Sequence, residues 1–473
     1  MDSTKRADLP VVVIGAGPVG LAAAAHLLER DVEPLIIEAG EQAGASVSSW
    51  GHVRLFSPWR YDIDDAARRL LSATDWIAPD ADELPTGAEL VEKYLLPLAQ
   101  TEVISSRLRT RTRVLAVARD GADRTRSLGR ERRGYVVRTL NAEGRVEDVL
   151  ARAVIDASGT YGTSNPLGTS GLAAHGEAET RGFVTGPLPD VLGLQRGRFA
   201  GKHTLVVGMG HSAANTLLSL LELAESVPDT KVTWAIRGGS TRRLFGGGDD
   251  DELPARGLLG SRLQAALEAG RLTLIKRVSI EQLVTGSETV RVIGVSQAGA
   301  VDLEVDAIVN ATGFRPDLDM LREVRLDLDA VVESPRQLAG LIDPDFHSCG
   351  TVPPHGEMLL RHPDDGFYLA GMKSYGRAPT FLLATGYEQV RSIAAALGGD
   401  QASADLVQLN LPATGVCSTD LGAEGGADVG GSCCGGEPSG PQSVSIGNLT
   451  PVGAGFGTGV HHGRAGDDAQ GIG

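Results

Sequence analysis

A glycine-rich turn stands close to the start of the sequence, where the apolar run VVVI leads directly into GAGPVG. Gly15 permits the sharp turn, Gly17 lets a pyrophosphate approach the backbone, and Gly20 lets the following helix pack closely on the strand. Free N–H groups at the start of that helix attract phosphate charge. The residues predicted to hold a dinucleotide here are Gly15, Gly17, Pro18 and Gly20. Glu38 ends the next apolar run and is placed to accept hydrogen bonds from ribose hydroxyls.

A second turn of the same kind follows the apolar run HTLVV. Its residues predicted to bind a nucleotide are Gly208, Gly210, Ser212 and Ala213. The strand after this turn ends in Arg237, at the place where the first unit has Glu38. An arginine there suits the 2′-phosphate of NADP and is a poor partner for a bare ribose diol. The alternative is that Arg237 is a solvated surface charge.

Two short motifs, ASG and ATG, each close an apolar strand pattern, and their glycines are Gly159 and Gly313. Small residues at a strand end let the backbone lie close to a cofactor or to another segment of the chain. Both glycines are therefore predicted to border a bound nucleotide.

The four cysteines are a further chemical feature. Cys349 lies in the loop HSCGTVPPHGE, shortly before the last strand pattern, and is the candidate catalytic residue. The other three are Cys417, Cys433 and Cys434, in a Gly-rich segment. An adjacent thiolate pair with a third thiol suits trigonal binding of a soft metalloid such as As(III). A redox relay and the absence of any role are the alternatives for these three thiols.

Alternating strand and helix patterns must position these groups. The order strand, turn, helix, strand occurs twice, which predicts an α/β fold with two Rossmann-like dinucleotide-binding domains. The first domain is predicted over 1–165 and 306–398, with a helical insertion at about 56–105, and the second over 166–305. Residues 399–473 are rich in Gly and are predicted to be a disordered tail, because they bury too little apolar surface to offset chain entropy.

Composition argues against several classes of protein. The net charge of −16 over 473 residues disfavours nucleic acid and anionic membranes as partners. No apolar stretch approaches the length of a membrane-spanning helix, and the opening segment MDSTKRADLPVVVIG is unlike a signal peptide. Four cysteines form no disulfide framework, so we expect a cytoplasmic protein.

Taken together, the motifs resemble those of flavoproteins with two dinucleotide-binding domains, a group that includes thioredoxin reductases and flavin-containing monooxygenases. The resemblance covers about residues 9–398, and it implies FAD on the first unit and NADPH on the second. The runs HVRLFSPWRYDID and GMKSYGRAPTFLLATGYEQVRS look closest to a bacterial subgroup often found with arsenic and heavy-metal resistance genes.

Three more residues are predicted to lie at the flavin, the first of them from the resemblance. Thr380 begins the last predicted helix, Thr380–Leu397, whose N-terminus would face the pyrimidine edge of the ring. Trp50 is a candidate neighbour of the flavin, and Gly371 is followed by Met372 where many disulfide reductases have Gly-Asp. The monooxygenase fingerprint expected before the second turn is replaced by GFVTGPLPDVLG, and a Cys-x-x-Cys dithiol is absent from the sequence.

These observations predict an NADPH-dependent FAD oxidoreductase, similar to a monooxygenase, that acts on a small molecule such as an arsenical or another thiophilic metalloid. O₂ would then be a co-substrate. One alternative is a reductase of low-molecular-weight disulfides or metalloids that uses Cys349 or the Cys433–Cys434 pair. The other is a metalloid-binding protein in which catalysis is secondary. The oligomeric state is left open, with a dimer among the states considered.

Overall fold

Four β-sheets organise the part of the chain that the computed structural model describes, residues 8–241, 254–343, 352–378 and 381–409. The strands in chain order are β1 (Val11–Ile14), β2 (Pro34–Ile37), β3 (Leu108–Arg109), β4 (Arg113–Arg119), β5 (Tyr135–Leu140), β6 (Val146–Ala151), β7 (Ala153–Asp156), β8 (Val184–Thr185), β9 (His203–Val207), β10 (Lys231–Ala235), β11 (Thr273–Ile275), β12 (Ser279–Thr285), β13 (Val290–Ser296), β14 (Gly299–Val305), β15 (Ala307–Asn310) and β16 (Phe367–Leu369).

Helices connect and cover these strands. In chain order they are α1 (Pro18–Leu28), α2 (Ala45–Ser48), α3 (Trp59–Asp62), α4 (Asp65–Ser72), α5 (Gly87–Leu90), α6 (Leu96–Gln100), α7 (Glu102–Ser105), α8 (Arg196–Phe199), α9 (His211–Ser226), α10 (Pro254–Glu268), α11 (Arg336–Ile342), α12 (Leu383–Leu397) and α13 (Gln401–Asp405). A π-helical turn spans Val91–Leu95, and 3₁₀ turns span Arg130–Arg132, Asp319–Leu321, Glu357–Leu360 and Gly371–Tyr375.

The first sheet is parallel and has the order β16-β7-β1-β2-β3. β1 is buried on both faces, as its continuous apolar run leads one to expect. Its side chains alternate, so that Val11 and Val13 pack with α1 and α12. Val12 and Ile14 pack instead with Val117 and its neighbours in the antiparallel sheet β4-β5-β6.

The second sheet repeats this architecture. It has the order β11-β10-β9-β15-β8, with α9 and α10 on one face and the antiparallel sheet β12-β13-β14 on the other. The predicted α/β fold with two Rossmann-like units is confirmed. β15 hydrogen-bonds within the second sheet, so this sheet extends past the predicted domain boundary at residue 305. β16 then returns the chain to the first sheet.

The two segments that connect the sheets run side by side. The N–H of Asn165 donates to the carbonyl of Gly313 at 2.9 Å, and the N–H of Arg315 donates to the carbonyl of Thr163 at 3.0 Å. The rings of Tyr161 and Phe314 lie 5.2 Å apart across this pairing. The chain therefore leaves the first domain and re-enters it at one place.

The last long helix begins later than predicted. α12 starts at Leu383 with Leu382 as its N-cap, three residues beyond the expected start at Thr380. Residues 399–409 of the predicted tail are part of the described structure and include α13, and the rest of the predicted tail lies outside it. Within the described residues, no helix has the length and apolar character needed to cross a membrane.

Candidate functional site

The first glycine-rich turn has the backbone geometry of a phosphate cradle. Gly15 has φ of +98°, and a Cβ there would lie 2.9 Å from the carbonyl oxygen of Ala157. A Cβ on Gly20 would lie 1.9 Å from the carbonyl oxygen of Gly15, so only glycine lets α1 start this close to the strand end. Gly17, the N-cap of α1, faces open space within 4 Å of where its Cβ would stand.

Glu38 is fixed against this turn. One carboxylate oxygen accepts the N–H of Ala16 at 2.7 Å, and the other accepts the N–H of Gly40 at 2.7 Å. The carboxylate thus stands beside the cradle, at the end of the neighbouring strand β2, where its remaining lone pairs can accept ribose hydroxyls. Glycine at the N-cap leaves the first N–H groups of α1 to an anionic ligand. These features fit a dinucleotide.

The second turn repeats this geometry at the start of α9. Gly208 has φ of +139°, and a Cβ there would lie 1.9 Å from the carbonyl oxygen of Ala311. Gly210 is the N-cap of α9 and again faces open space, while Ser212 and Ala213 follow in the first helical turn. The ring of Phe56, from the first domain, lies 5.5 Å from that of His211. The second cradle therefore opens next to a segment of the first domain.

Arg237 follows β10 and is anchored by backbone carbonyls. Its Nη2 donates to the carbonyl oxygens of Pro166 at 2.7 Å and Gly168 at 2.8 Å. The side chain is exposed. Arg237 is therefore held just beyond the end of β10, one residue further along than the position that corresponds to Glu38 in the first domain, which Ile236 occupies, and its contact with a 2′-phosphate stays a prediction.

A buried charged cluster, which the sequence analysis missed, lies at the end of β7. Lys373 Nζ is 2.7 Å from Asp156 Oδ2 and 3.1 Å from Ser158 Oγ. The side chains of Lys373 and Asp156 are both 0% exposed. Each residue stands out locally, because an Asp ends an apolar strand pattern and Gly-Met-Lys stands in place of Gly-Asp. No sequence pattern, however, indicates that the Asp and the Lys lie in contact.

The corresponding place in the second domain holds an uncharged cluster. Asn310, the last residue of β15, accepts the N–H of Thr312 at 3.2 Å and its hydroxyl at 2.7 Å. The side-chain amide of Asn310 donates to the carbonyl of Asn165 at 2.9 Å. Gly159 and Gly313 stand just beyond the two clusters, with φ of +71° and +90°. The chain thus makes a tight turn after β7, next to the first cradle, and another after β15, next to the second.

Gly371 joins the last strand to α12. Its φ is +66°, and its N–H donates to the buried Oε1 of Gln389 at 2.8 Å. Gln389 Nε2 in turn donates to His355 Nε2 at 2.8 Å, while His355 Nδ1 donates to the carbonyl of Pro353 at 3.0 Å. Burial lowers the pKa of His355, which keeps the ring neutral and able to accept this bond.

The start of α12 packs against the start of α1. A Cβ on Gly386 would lie 2.6 Å from Val19 Cγ2, and one on Gly371 would lie 3.3 Å from Val19 Cβ. The N-terminal end of α12 therefore lies beside the first cradle.

A second buried acid lies close to α12. The hydroxyl of Tyr387 donates to the carbonyl of Asp62 at 2.7 Å, and Ser57 Oγ donates to Asp62 Oδ1 at 2.8 Å. Asp62 Oδ2 is buried without a hydrogen-bond partner among the described residues. Burial raises the pKa of Asp62 to about 7, so much of this carboxyl is protonated at neutral pH.

The remaining predicted site residues divide into two groups. Trp50 packs on Gly87 of the insertion, where a Cβ would lie 2.8 Å from the indole ring, and on the hydrophobic core that includes α1. Pro18 occupies the first turn of α1. The others lie outside the described residues: Cys349, Thr380, Cys417, Cys433 and Cys434.

Comparison with solved structures shows the same fold in enzymes of two kinds. The bacillithiol disulfide reductase from Bacillus cereus superposes with a TM-score of 0.60 at 19% identity, covering 83% of this chain and 99% of that one. The FAD-bound cadaverine monooxygenase of desferrioxamine biosynthesis from Erwinia amylovora gives 0.58 at 13% identity, covering 87% and 99%. T. acidophilum thioredoxin reductase gives 0.52 at 16% identity, covering 84% and 99%.

The sequence itself identifies the family. No curated protein matches the chain. The profile of the pyridine nucleotide-disulphide oxidoreductases matches residues 12–335, more than half of the chain. This match confirms the predicted oxidoreductase class and, at the level of the family, the pairing of FAD with a pyridine nucleotide. With two glycine-rich turns at the carboxyl edges of two parallel sheets, the chain belongs to the pyridine nucleotide-disulphide oxidoreductase family.

Proposed function

We propose that the protein is an NADPH-dependent FAD oxidoreductase, with FAD in the first cradle and NADPH in the second. The observation that carries this assignment is the contrast between the two cradles. Each has a glycine N-cap facing open space, but Glu38 bonds to the first turn, whereas the strand next to the second turn leads into Arg237.

Charge decides which nucleotide suits which cradle. A carboxylate accepts ribose hydroxyls and repels a 2′-phosphate, so Glu38 favours the nucleotide without that phosphate, FAD. A guanidinium donates several N–H bonds to phosphate oxygens, so Arg237 favours NADPH. Since Nη2 is held by the carbonyls of 166–168, Arg237 is oriented before the nucleotide arrives.

When bound, the flavin supplies the redox chemistry by taking hydride from the nicotinamide and passing electrons on. The chain supplies placement. The first turns of α1 and α12 pack together at Val19, and the Gly371–Gln389–His355 hydrogen bonds hold the turn that leads into α12. The helix contact and these hydrogen bonds would together fix the side of the flavin site that α12 forms.

For the electron acceptor we propose O₂ together with a small substrate, an arsenical or another thiophilic metalloid. The support is the resemblance of the runs at 52–64 and 371–392 to the bacterial flavoprotein subgroup found with arsenic resistance genes, and the shared fold with a cadaverine monooxygenase. The shared fold with a bacillithiol disulfide reductase supports the alternative, a disulfide or metalloid reductase that uses Cys349.

Anaerobic reduction of the FAD-loaded protein tests the cofactor assignment. NADPH should bleach the flavin absorbance, and NADH should require a higher concentration to reach the same rate. Arg237→Ser should raise the half-saturating NADPH concentration about tenfold or more, since a charge-assisted hydrogen bond contributes about 1.5–3 kcal/mol, and should leave that for NADH unchanged. Arg271→Ser is the matched control, because Arg271 is an exposed arginine of the same domain that pairs with Glu225.

Failure of NADPH to bleach the flavin would refute the oxidoreductase proposal. Equal loss of NADPH and NADH binding in Arg237→Ser would refute the role of Arg237. The acceptor is tested by supplying arsenicals with and without O₂. Turnover that requires O₂ supports the monooxygenase, whereas anaerobic turnover with a disulfide or an oxyanion, lost in Cys349→Ser, supports the reductase.

A further inference from the structure

We propose that Lys373 supplies a positive charge that favours binding of the FAD diphosphate, and that Asp156 and Ser158 hold this lysine in place. The inference rests on the proposed binding of FAD in the first cradle. Lys373 is a positioning residue in this proposal, because its side chain is fully buried and acts on the ligand across an intervening residue.

The cluster lies at the edge of the sheet where the nucleotide binds. Asp156 ends β7 and is paired in register with Ile14, the residue just before Gly15. Lys373 reaches Asp156 from the 3₁₀ turn that follows β16, beyond the carboxyl ends of the strands. In parallel sheets this is the side on which ligands bind, so the ammonium group approaches the pair from the ligand side.

Ser158 connects the cluster to the phosphate cradle. Its Cα lies 3.0 Å from the position that a Cβ on Gly15 would take, so it touches the first glycine of the turn. Its hydroxyl donates to Asp156 Oδ1 at 2.6 Å and accepts from Lys373 Nζ. Ser158 is exposed, whereas Lys373 and Asp156 are buried. The charge thus lies one residue behind the surface of the cradle.

The second domain shows that this turn folds without charge. Asn310 Oδ1 accepts the N–H and the hydroxyl of Thr312 at 3.2 and 2.7 Å. Asp156 Oδ1 accepts the same two groups of Ser158 at 3.1 and 2.6 Å. One chain therefore builds the same strand end twice, once with a neutral amide and once with a carboxylate and a lysine.

Stability alone does not account for the charged version. Removing a lysine and a carboxylate from water costs about as much as their attraction returns, and neutral replacements of buried ion pairs are often at least as stable. The pair carries no net charge, but with its ammonium group on the ligand side it is a dipole whose positive end acts over several ångströms in a medium of low dielectric constant. The diphosphate of FAD is the anionic group that would bind at this edge, which gives the cation a function.

Titration of FAD into apoprotein, followed by flavin fluorescence, tests the proposal. The central variant is Asp156→Asn/Lys373→Met, which copies the uncharged arrangement of the second domain. It should keep the melting temperature of the wild type and bind FAD about tenfold more weakly. ADP, which has the same diphosphate without the flavin, should lose affinity by the same factor when it competes with FAD. Lys373→Arg should stay within a few-fold of the wild type.

The matched control removes the buried pair at the opposite edge of the same sheet. Arg130 binds both oxygens of Asp364 at 2.7 Å, just before β16 begins. Arg130→Met/Asp364→Asn should leave the FAD affinity of the folded protein unchanged.

Wild-type FAD affinity in Asp156→Asn/Lys373→Met would overturn the proposal, and so would failure of that variant to fold, because the pair would then be needed for the fold. Weaker FAD binding with unchanged ADP binding would also overturn it. If the wild type itself bound no FAD, the proposed function would fail instead, and the wild-type titration shows which of the two has failed.

Discussion

At the scale of single residues, two buried titratable groups with shifted pKa values pull the stability of the fold in opposite directions as pH changes. Burial lowers the pKa of His362 to about 4 and raises that of Asp62 to about 7. Their ordinary values are 6.5 and 3.8. Both groups therefore change the free energy of unfolding between about pH 4 and 7, and their effects partly cancel in the wild type.

His362 should weaken the fold in mild acid. Between pH 6.5 and 4 the unfolded chain protonates this histidine, whereas the folded chain keeps it neutral. Its contribution to the free energy of unfolding is therefore complete above pH 6.5 and is lost as the pH falls toward 4. The full loss is about 3 kcal/mol. Urea unfolding of His362→Gln should show a smaller decrease between pH 7 and 4.5 than the wild type. An equal decrease in both proteins would mean that His362 does not cause it.

Asp62 should weaken the fold as the pH rises. The folded state keeps the carboxyl protonated, so the stability it provides is complete below pH 3.8 and is lost as the pH rises through about 7. Asp62→Asn should melt at a higher temperature than the wild type at pH 8.5, and the gain should shrink at pH 5.5. Asp65→Asn is the control, since Asp65 is an exposed carboxylate three positions away. A gain of the same size at both pH values would contradict this origin.

At the scale of elements, the packing of α12 on α1 sets the wall of the first cradle. Gly386 is the contact point, because a Cβ on this residue would lie too close to the side chains of Val19 and Phe381. Gly386→Ala should therefore force the helices apart, lower the free energy of unfolding by about 1–3 kcal/mol, and weaken FAD binding. Chemical denaturation and FAD titration measure the two effects.

A compensating substitution separates overpacking from other causes. Val19→Ala/Gly386→Ala removes the methyl group nearest the added carbon, so it should recover part of both losses. If the double variant were no better than Gly386→Ala, the contact with Val19 would not be the cause.

Elements also show where sequence patterns succeed and fail. The strands beside the two turns were predictable because each is a short apolar run closed by glycines at fixed spacing. β12 gives no such pattern, since a bulge between Ile280 and Gln282 breaks its alternation of apolar and polar residues. The start of α12 was placed at Thr380 rather than Leu383 because the apolar pattern extends past the helix end, and no capping residue marks it.

At the scale of the whole molecule, the chain uses one architecture twice: a parallel sheet with helices on one face and a three-stranded antiparallel sheet on the other. The two cradles could be predicted from sequence because each is made by neighbouring residues. The Lys373–Asp156 pair could not, since 217 positions separate its members and only the tertiary fold brings them together. The pairing of β15 with β9 could not be predicted for the same reason, because the sheet that β15 joins depends on distant strands.

The hydrogen bond between Asn165 and Gly313 has a consequence for engineering this protein. The residues between Asn165 and Gly313 leave the first domain and re-enter it at this one position, so they could be deleted and the two ends joined by a short peptide. The shortened protein would keep every strand of the first sheet and would bind flavin. It would lack the domain in which we propose that the nicotinamide nucleotide binds to reduce that flavin.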